Sequence, residues 1–167
     1  QRRVIAATYG GTRVINVYVP NGQSVGSDKY RYKLDWLDAL GGYVAAELKR
    51  HEHLAIVGDF NIAPDDRDVH DPDLWRDMVL CSGPERDRLK ALMDLGLVDT
   101  FRLFDQPEGS WSWWDYREMN FRRKRGLRID LILASKALAA RCMASTIDIE
   151  PRKLDKPSDH APVVAIL

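Results

Sequence analysis

The chain has 167 residues, 45% of them hydrophobic and 30% charged, a balance that excludes collagen-like, low-complexity and disordered chains and suits one packed domain. Lys and Arg number 25 against 25 Asp and Glu, so no global basic field draws the protein to nucleic acid or membrane, and any polyanion site must be local. The two cysteines, Cys81 and Cys142, are too few for a disulfide framework and lack metal-ligand spacing, which suits a reducing, intracellular compartment.

In chain order, residues 3–9 (RVIAATY) and 12–19 (TRVINVYV) are β-branched and aromatic runs around Gly10-Gly11. Such a glycine pair takes the positive φ of a tight turn, so a hairpin is expected. Residues 20–29 (PNGQSVGSDK) hold turn formers and little to bury, and read as a loop. From Tyr30 to Arg50, Leu34, Leu37, Leu40, Val44 and Leu48 recur at three- and four-residue steps and share a helical face, with Gly41-Gly42 as a weak point. The apolar run 53–57 (HLAIV) reads as a buried strand that delivers the polar GDFN to its C-terminal end, where α/β proteins place sites.

The acidic stretch 65–73 (DDRDVHDPD) reads as a surface loop; counted from Asp66 as a calcium loop it puts Asp71 where glycine is required, so that reading fails. Residues 85–95 form a charged helix with Leu89, Leu92 and Met93 on one side and Gly96 as its C-terminal cap. Segments 111–116, 128–134, 142–149 and 162–167 read as strands. The pattern predicts an α/β layer with a mixed, mostly antiparallel sheet and outer helices. Strict βαβ alternation and a GxGxxG loop are missing, which argues against dinucleotide binding. No apolar run approaches the roughly 20 residues that span a bilayer, so no membrane partner is expected.

Polar residues able to do chemistry sit beside several strands: Tyr18, Asn21, Asp59, Asn61, Asp130 and the pair Asp159-His160. Taken singly, an Asp after a strand is a turn or cap residue. Taken together, they match what phosphodiester hydrolysis requires: activation of water, neutralisation of phosphoryl oxygens and stabilisation of a leaving oxygen. Asp130 interrupts the apolar run IDLIL and needs a buried partner, for which His160 is the candidate.

Four segments, IVGDFNIAP (56–64), SWWDYR (112–117), GLRIDLILAS (126–135) and KPSDHAPV (156–163), resemble the exonuclease III group of apurinic/apyrimidinic endonucleases. This group belongs to the endonuclease/exonuclease/phosphatase superfamily. The resemblance implies a DNase I-like sandwich of two sheets with helices outside. It also implies hydrolysis of DNA 5′ to abasic sites, with 3′-to-5′ exonuclease and 3′-phosphatase activity, on double-stranded DNA with abasic or 3′-blocked ends, in the bacterial cytoplasm with its nucleoid. Among catalytic residues it implies Asp59 for proton handling, Asn61 for the transition-state phosphate, His160 beside the scissile phosphate with Asp130 orienting it, and Tyr18 as a phosphate contact. Asn21, Trp113, Arg125 and Arg128 are the implied DNA contacts, Trp113 by packing where a base is missing, with Arg128 alternatively an internal ion-pair partner. The basic run Arg122, Arg123, Lys124, Arg125 and Arg128 suits phosphate-backbone contacts or a solvated loop, and His51, His53 and His70 read as surface residues. Mg²⁺ or Mn²⁺ is the implied cofactor, with Asp59, Asn61, Asp159 and His160 as ligands.

The chain departs from that pattern at its start, where the group's first strand and its metal-binding glutamate have no counterpart. The expectation is a single domain over 1–167, the C-terminal two-thirds of the sandwich, that lacks an N-terminal segment of the same protein. Alone it should expose an apolar sheet face, associate or melt readily, and cleave weakly or not at all. Another phosphodiesterase of the superfamily and a catalytically dead DNA-binding fragment are the competing readings.

Overall fold

The computed structural model describes residues 2–167. The hairpin forms as expected from β1 (Val4–Tyr9) and β2 (Thr12–Tyr18), with Gly10 and Gly11 at φ +55° and +81°. Helix α1 (Asp28–Leu48) starts on Ser27, whose hydroxyl accepts the Tyr30 amide, and runs through Gly41-Gly42 without a break. It returns the chain to β3 (Leu54–Asp59), which pairs parallel to β2. Further along come α2 (Pro72–Trp75), α3 (Gly83–Asp94), β4 (Leu97–Asp99), β5 (Asp130–Ser135), α4 (Lys136–Ala139), β6 (Ala144–Ile147) and β7 (Val163–Ile166).

Five strands form one sheet in the order β1-β2-β3-β5-β4, in which only β2 and β3 run parallel, and β6 and β7 form a separate antiparallel pair. This is the mixed, mostly antiparallel architecture the sequence predicts. Leu37, Leu40 and Val44 of α1 and Leu89 and Leu92 of α3 pack with Ile15, Val17, Ile56, Leu131 and Leu133 of the sheet in the main core. Alternate residues on the other side of the strands, Ala55 and Ala134, meet Leu138 and Ala139 in a smaller cluster. Apolar side chains at the sheet margins are open to solvent, with Ile5 at 73% and Ile166 at 51% exposure.

Two expectations are corrected. The acidic stretch 65–73 is not a plain surface loop: it forms a 3₁₀ turn at Asp66–Asp68 and the short helix α2, and Asp68 is fully buried. Its carboxylate takes hydrogen bonds from Arg128 and Arg102, so acidity here reflects internal pairing. Residues 111–116 join no ladder, with Ser112 in a bend and Tyr116 in a turn; Trp113 makes single bridges to Leu127 and to His160, which ties two other segments together. The strands expected at 128–134, 142–149 and 162–167 form as the shorter or shifted β5, β6 and β7. β4, three residues long, was not expected at all.

Candidate active site

Three neighbouring strands end together. Tyr18 of β2 lies in register with Asp59 of β3, and Asp59 with Asp130 of β5. The register requires β2 and β3 to approach closely at Gly58, whose φ is +130° and where an added Cβ would stand 2.0 Å from the Val17 carbonyl oxygen. Only glycine fits there. Phe60, fully buried, anchors the next residue, and Asn61 turns back with φ +50°. Its amide N–H donates to Asp59 Oδ1 at 2.8 Å, and its Nδ2 donates to Asp59 Oδ2 at 3.0 Å and to the Val19 carbonyl at 2.9 Å. Asn21 Nδ2 donates in turn to Asn61 Oδ1 at 3.1 Å. Both Nδ2 hydrogens of Asn61 are thus committed, and its first task in this geometry is to aim Asp59, not to offer a donor to phosphate.

His160 Nδ1 lies 2.8 Å from Asp130 Oδ2, as the sequence expectation requires. Ser112, buried and not foreseen as a site residue, donates its hydroxyl to the same Asp130 oxygen at 2.7 Å and accepts the Ile129 and Asp130 amides. Its backbone carbonyl also accepts from Ala161 N at 2.7 Å, so one serine links the strand of Asp130 to the segment of His160. A serine in a tryptophan-rich run carries no sequence signal for this role. Trp113 is half-buried against the cluster of Leu127 and Ile129, and its indole N–H donates to Asp159 Oδ2 at 3.0 Å. Tyr18 is 54% exposed, with the Arg3 guanidinium 4.8 Å from its ring centre.

The electrostatics separate the two acids. Burial, then the nearby Asp130 charge, push the Asp59 carboxyl up to about 6, against the opposing Asn61 N–H and the His160 and Lys33 charges. For His160, burial works downward, but its hydrogen bond and attraction to Asp130, with Asp59 and Asp159 adding, win, and its pKa is raised. Asp130→Asn should therefore bring both down, since it removes repulsion from Asp59 and support from His160. Carboxyl and imidazole NMR titrations check this; unmoved midpoints would contradict the pairing.

Two sequence assignments do not hold as made. Arg128 is 1% exposed and cannot touch DNA: its Nε binds Asp68 Oδ1 at 2.6 Å and its Nη2 binds Asp99 Oδ2 at 2.7 Å, with the guanidinium 4.9 Å from the Phe101 ring centre. The internal ion-pair alternative is the observed one. Among the described residues no group of three or more His, Cys, Asp or Glu is arranged to hold an ion, so Asp59, Asn61, Asp159 and His160 form no closed cage of that kind. His160 instead presents Nδ1 to Asp130. His70 is likewise no simple surface residue, being half-buried edge-on to Trp75 and Trp111 with Nδ1 3.3 Å from the Gly126 carbonyl. Arg125 does lie on the surface, 3.6 Å from Glu118.

An imidazole held by one carboxylate, with a second carboxyl pushed up to about 6 at the adjoining strand end, is an acid–base arrangement on a two-sheet α/β frame. Residues 1–160 match the model of the Endonuclease/Exonuclease/phosphatase family, and the chain belongs to that family. It is 38% identical to exodeoxyribonuclease III of Haemophilus influenzae, covering 99% of this chain and 66% of the relative. Among solved structures it resembles a 3′-5′ exonuclease from Neisseria meningitidis with TM-score 0.97 and 49% identity, over 99% of this chain and 65% of that one. An AP endonuclease from Archaeoglobus fulgidus superposes with TM-score 0.92 at 40% identity, over 98% and 64% of the two chains. The chain thus spans slightly less than two thirds of each of these relatives.

Proposed function

We propose that this chain carries catalytic machinery of an exodeoxyribonuclease III-type DNA repair nuclease, which hydrolyses the backbone 5′ to abasic sites and trims or dephosphorylates 3′ ends. The observation that carries the reading is the hydrogen-bonded His160–Asp130 pair set beside Asp59 at the ends of adjoining strands. A relative described as a 3′ phosphatase from Neisseria bound to a product DNA hairpin, 49% identical to this chain, supports DNA as the substrate class.

The roles follow from the site's charges. His160, its pKa raised beside Asp130, has its protonated form favoured, the form that stabilises charge on a phosphoryl oxygen. Asp59, with a pKa about 6 and both oxygens aimed by Asn61, is poised to take or return a proton near neutral pH, at the attacking water or the leaving oxygen. Tyr18, at the same strand end and exposed, lines the approach of the phosphate. The family resemblance adds Mg²⁺ or Mn²⁺. Mg²⁺ takes one or two carboxylates together with waters and substrate phosphates rather than a closed protein cage, so hard oxygen donors such as Asp59, with Asp159 nearby in sequence to His160, fit it. When bound, such an ion neutralises charge on the phosphoryl oxygens.

The test offers three substrates in parallel: an abasic duplex, a 3′-phosphate duplex and an inositol phosphate. Cleavage of the DNA substrates alone is expected, and cleavage of the inositol phosphate alone would assign another member of the superfamily. The exposed basic run gives a further expectation. Arg125→Ala should weaken DNA binding by a similar factor on every sequence and lower the slope of log K against log salt by about 1. A titration of affinity against salt checks it, and an unchanged slope would remove Arg125 from the interface.

A further inference from the structure

Lys33, near the start of α1, is fully buried, and the chemistry proposed above makes no use of it. Its Nζ donates to the main-chain carbonyls of Asn21 at 3.1 Å and of Asn61 at 2.6 Å, and its third contact is the Glu85 carboxylate. Three ammonium hydrogens meet three acceptors. Glu85, fully buried at the start of α3, also takes the Leu80 and Ser82 amides and the Ser82 hydroxyl, and that hydroxyl is 2.6 Å from Tyr30 of α1. The two helices are thus locked together around one ammonium group whose other two bonds go to the backbones of the two site asparagines.

A buried ion pair is a costly way to join two helices, since apolar side chains of similar volume do so as well or better. What apolar side chains cannot do is fix a carbonyl. Asn61 needs fixing, because it holds a left-handed φ of +50° and carries the contacts that aim Asp59, while Asn21 braces its side-chain oxygen. We propose that Lys33, held by Glu85, is a positioning residue for phosphodiester cleavage, which acts by clamping the Asn21 and Asn61 backbones so that Asn61 keeps Asp59 aligned. This rests on the reading of Asp59 and His160 as the cleavage site.

The molecule supplies its own control. Arg13 Nε binds Glu47 Oε2 at 2.6 Å, joining β2 to the other end of α1, away from the asparagines. The experiment compares Lys33→Met/Glu85→Gln with Arg13→Met/Glu47→Gln at a temperature where melting curves show both folded. The Lys33 pair is expected to lose about 10²-fold in kcat on an abasic duplex with little change in KM, because a small misplacement of a reacting group costs that much. It should also move the side-chain amide NMR signals of Asn21 and Asn61, and the Arg13 pair should do neither. A milder pair, Lys33→Gln/Glu85→Gln, keeps a side-chain donor and is expected to retain more of the rate. Equal losses in the Lys33 and Arg13 pairs, or a Gln pair slower than the Met pair, would overturn the inference by reducing it to general stiffness. A wild-type protein that cuts no DNA would count against the proposed function instead; the asparagine signals then decide, and unmoved signals overturn the role of Lys33.

Discussion

His160→Ala is expected to slow DNA cleavage by roughly 10²- to 10⁴-fold, the range for loss of a positioned acid–base or charged group, with DNA affinity nearly unchanged. Two effects add. The imidazole that Asp130 holds at 2.8 Å disappears, and with it a positive charge at the phosphoryl oxygen. Asp59 also loses a neighbouring charge that holds its carboxyl down, so its pKa rises above about 6 and less of it is ionised at neutral pH. A carboxyl titration of the metal-free variant should show the Asp59 midpoint moved upward accordingly. Single-turnover cleavage and fluorescence anisotropy on the same duplex separate rate from binding. A near-normal rate would remove His160 from the reaction, and a loss of affinity matching the loss of rate would make it a binding residue.

Arg128→Ala should act on stability and leave DNA contacts alone. The substitution strands Asp99 and half of the partnership of Asp68, two carboxylates buried between the 3₁₀ turn at Asp66–Asp68 and the end of β4. Arg102 still reaches Asp68, but Asp99 loses its guanidinium. Breaking a buried pair in this way costs about 3–5 kcal/mol, a large part of the roughly 5–15 kcal/mol that holds a domain together. In a chain of this size that lowers Tm by roughly 6–20 °C. Arg125→Ala, on the exposed basic run, is the contrast: little change in Tm and a change in salt slope. An Arg128→Ala protein that melts normally but binds DNA poorly would reverse the two assignments.

The parts of this molecule that the sequence revealed are those encoded by neighbours in the chain. Gly10-Gly11 between two β-branched runs marks the hairpin, the Leu and Val spacing marks α1, and GDFN after an apolar run places Asp59 at a strand end. The His160–Asp130 pair was legible because a carboxylate inside an apolar strand demands a partner. What stayed hidden depends on contacts between distant segments. Arg128 looked like one more member of a basic run because its partners are 60 and 29 residues away. Lys33 has no sequence signal of its own, but its partner does: Ser82 followed by Glu85 is a capping box, which marks Glu85 as a carboxylate bound to the start of α3. Segment 111–116 reads as a strand because it is aromatic, but a strand needs a continuous neighbour, and Trp113 meets two different ones by a single bridge each.

Cleavage of a duplex carrying one abasic analogue, followed with and without Mg²⁺, by this chain extended N-terminally to the length of its relatives, with Asp59→Ala in the same extended chain alongside, tests the assignment most directly. The expected result is one nick 5′ to the lesion that leaves a 3′-hydroxyl, requires the cation, and falls by orders of magnitude in the variant. Nicking that persists at the wild-type rate in Asp59→Ala would contradict the site. Binding of the duplex with no nick under any cation would contradict the activity.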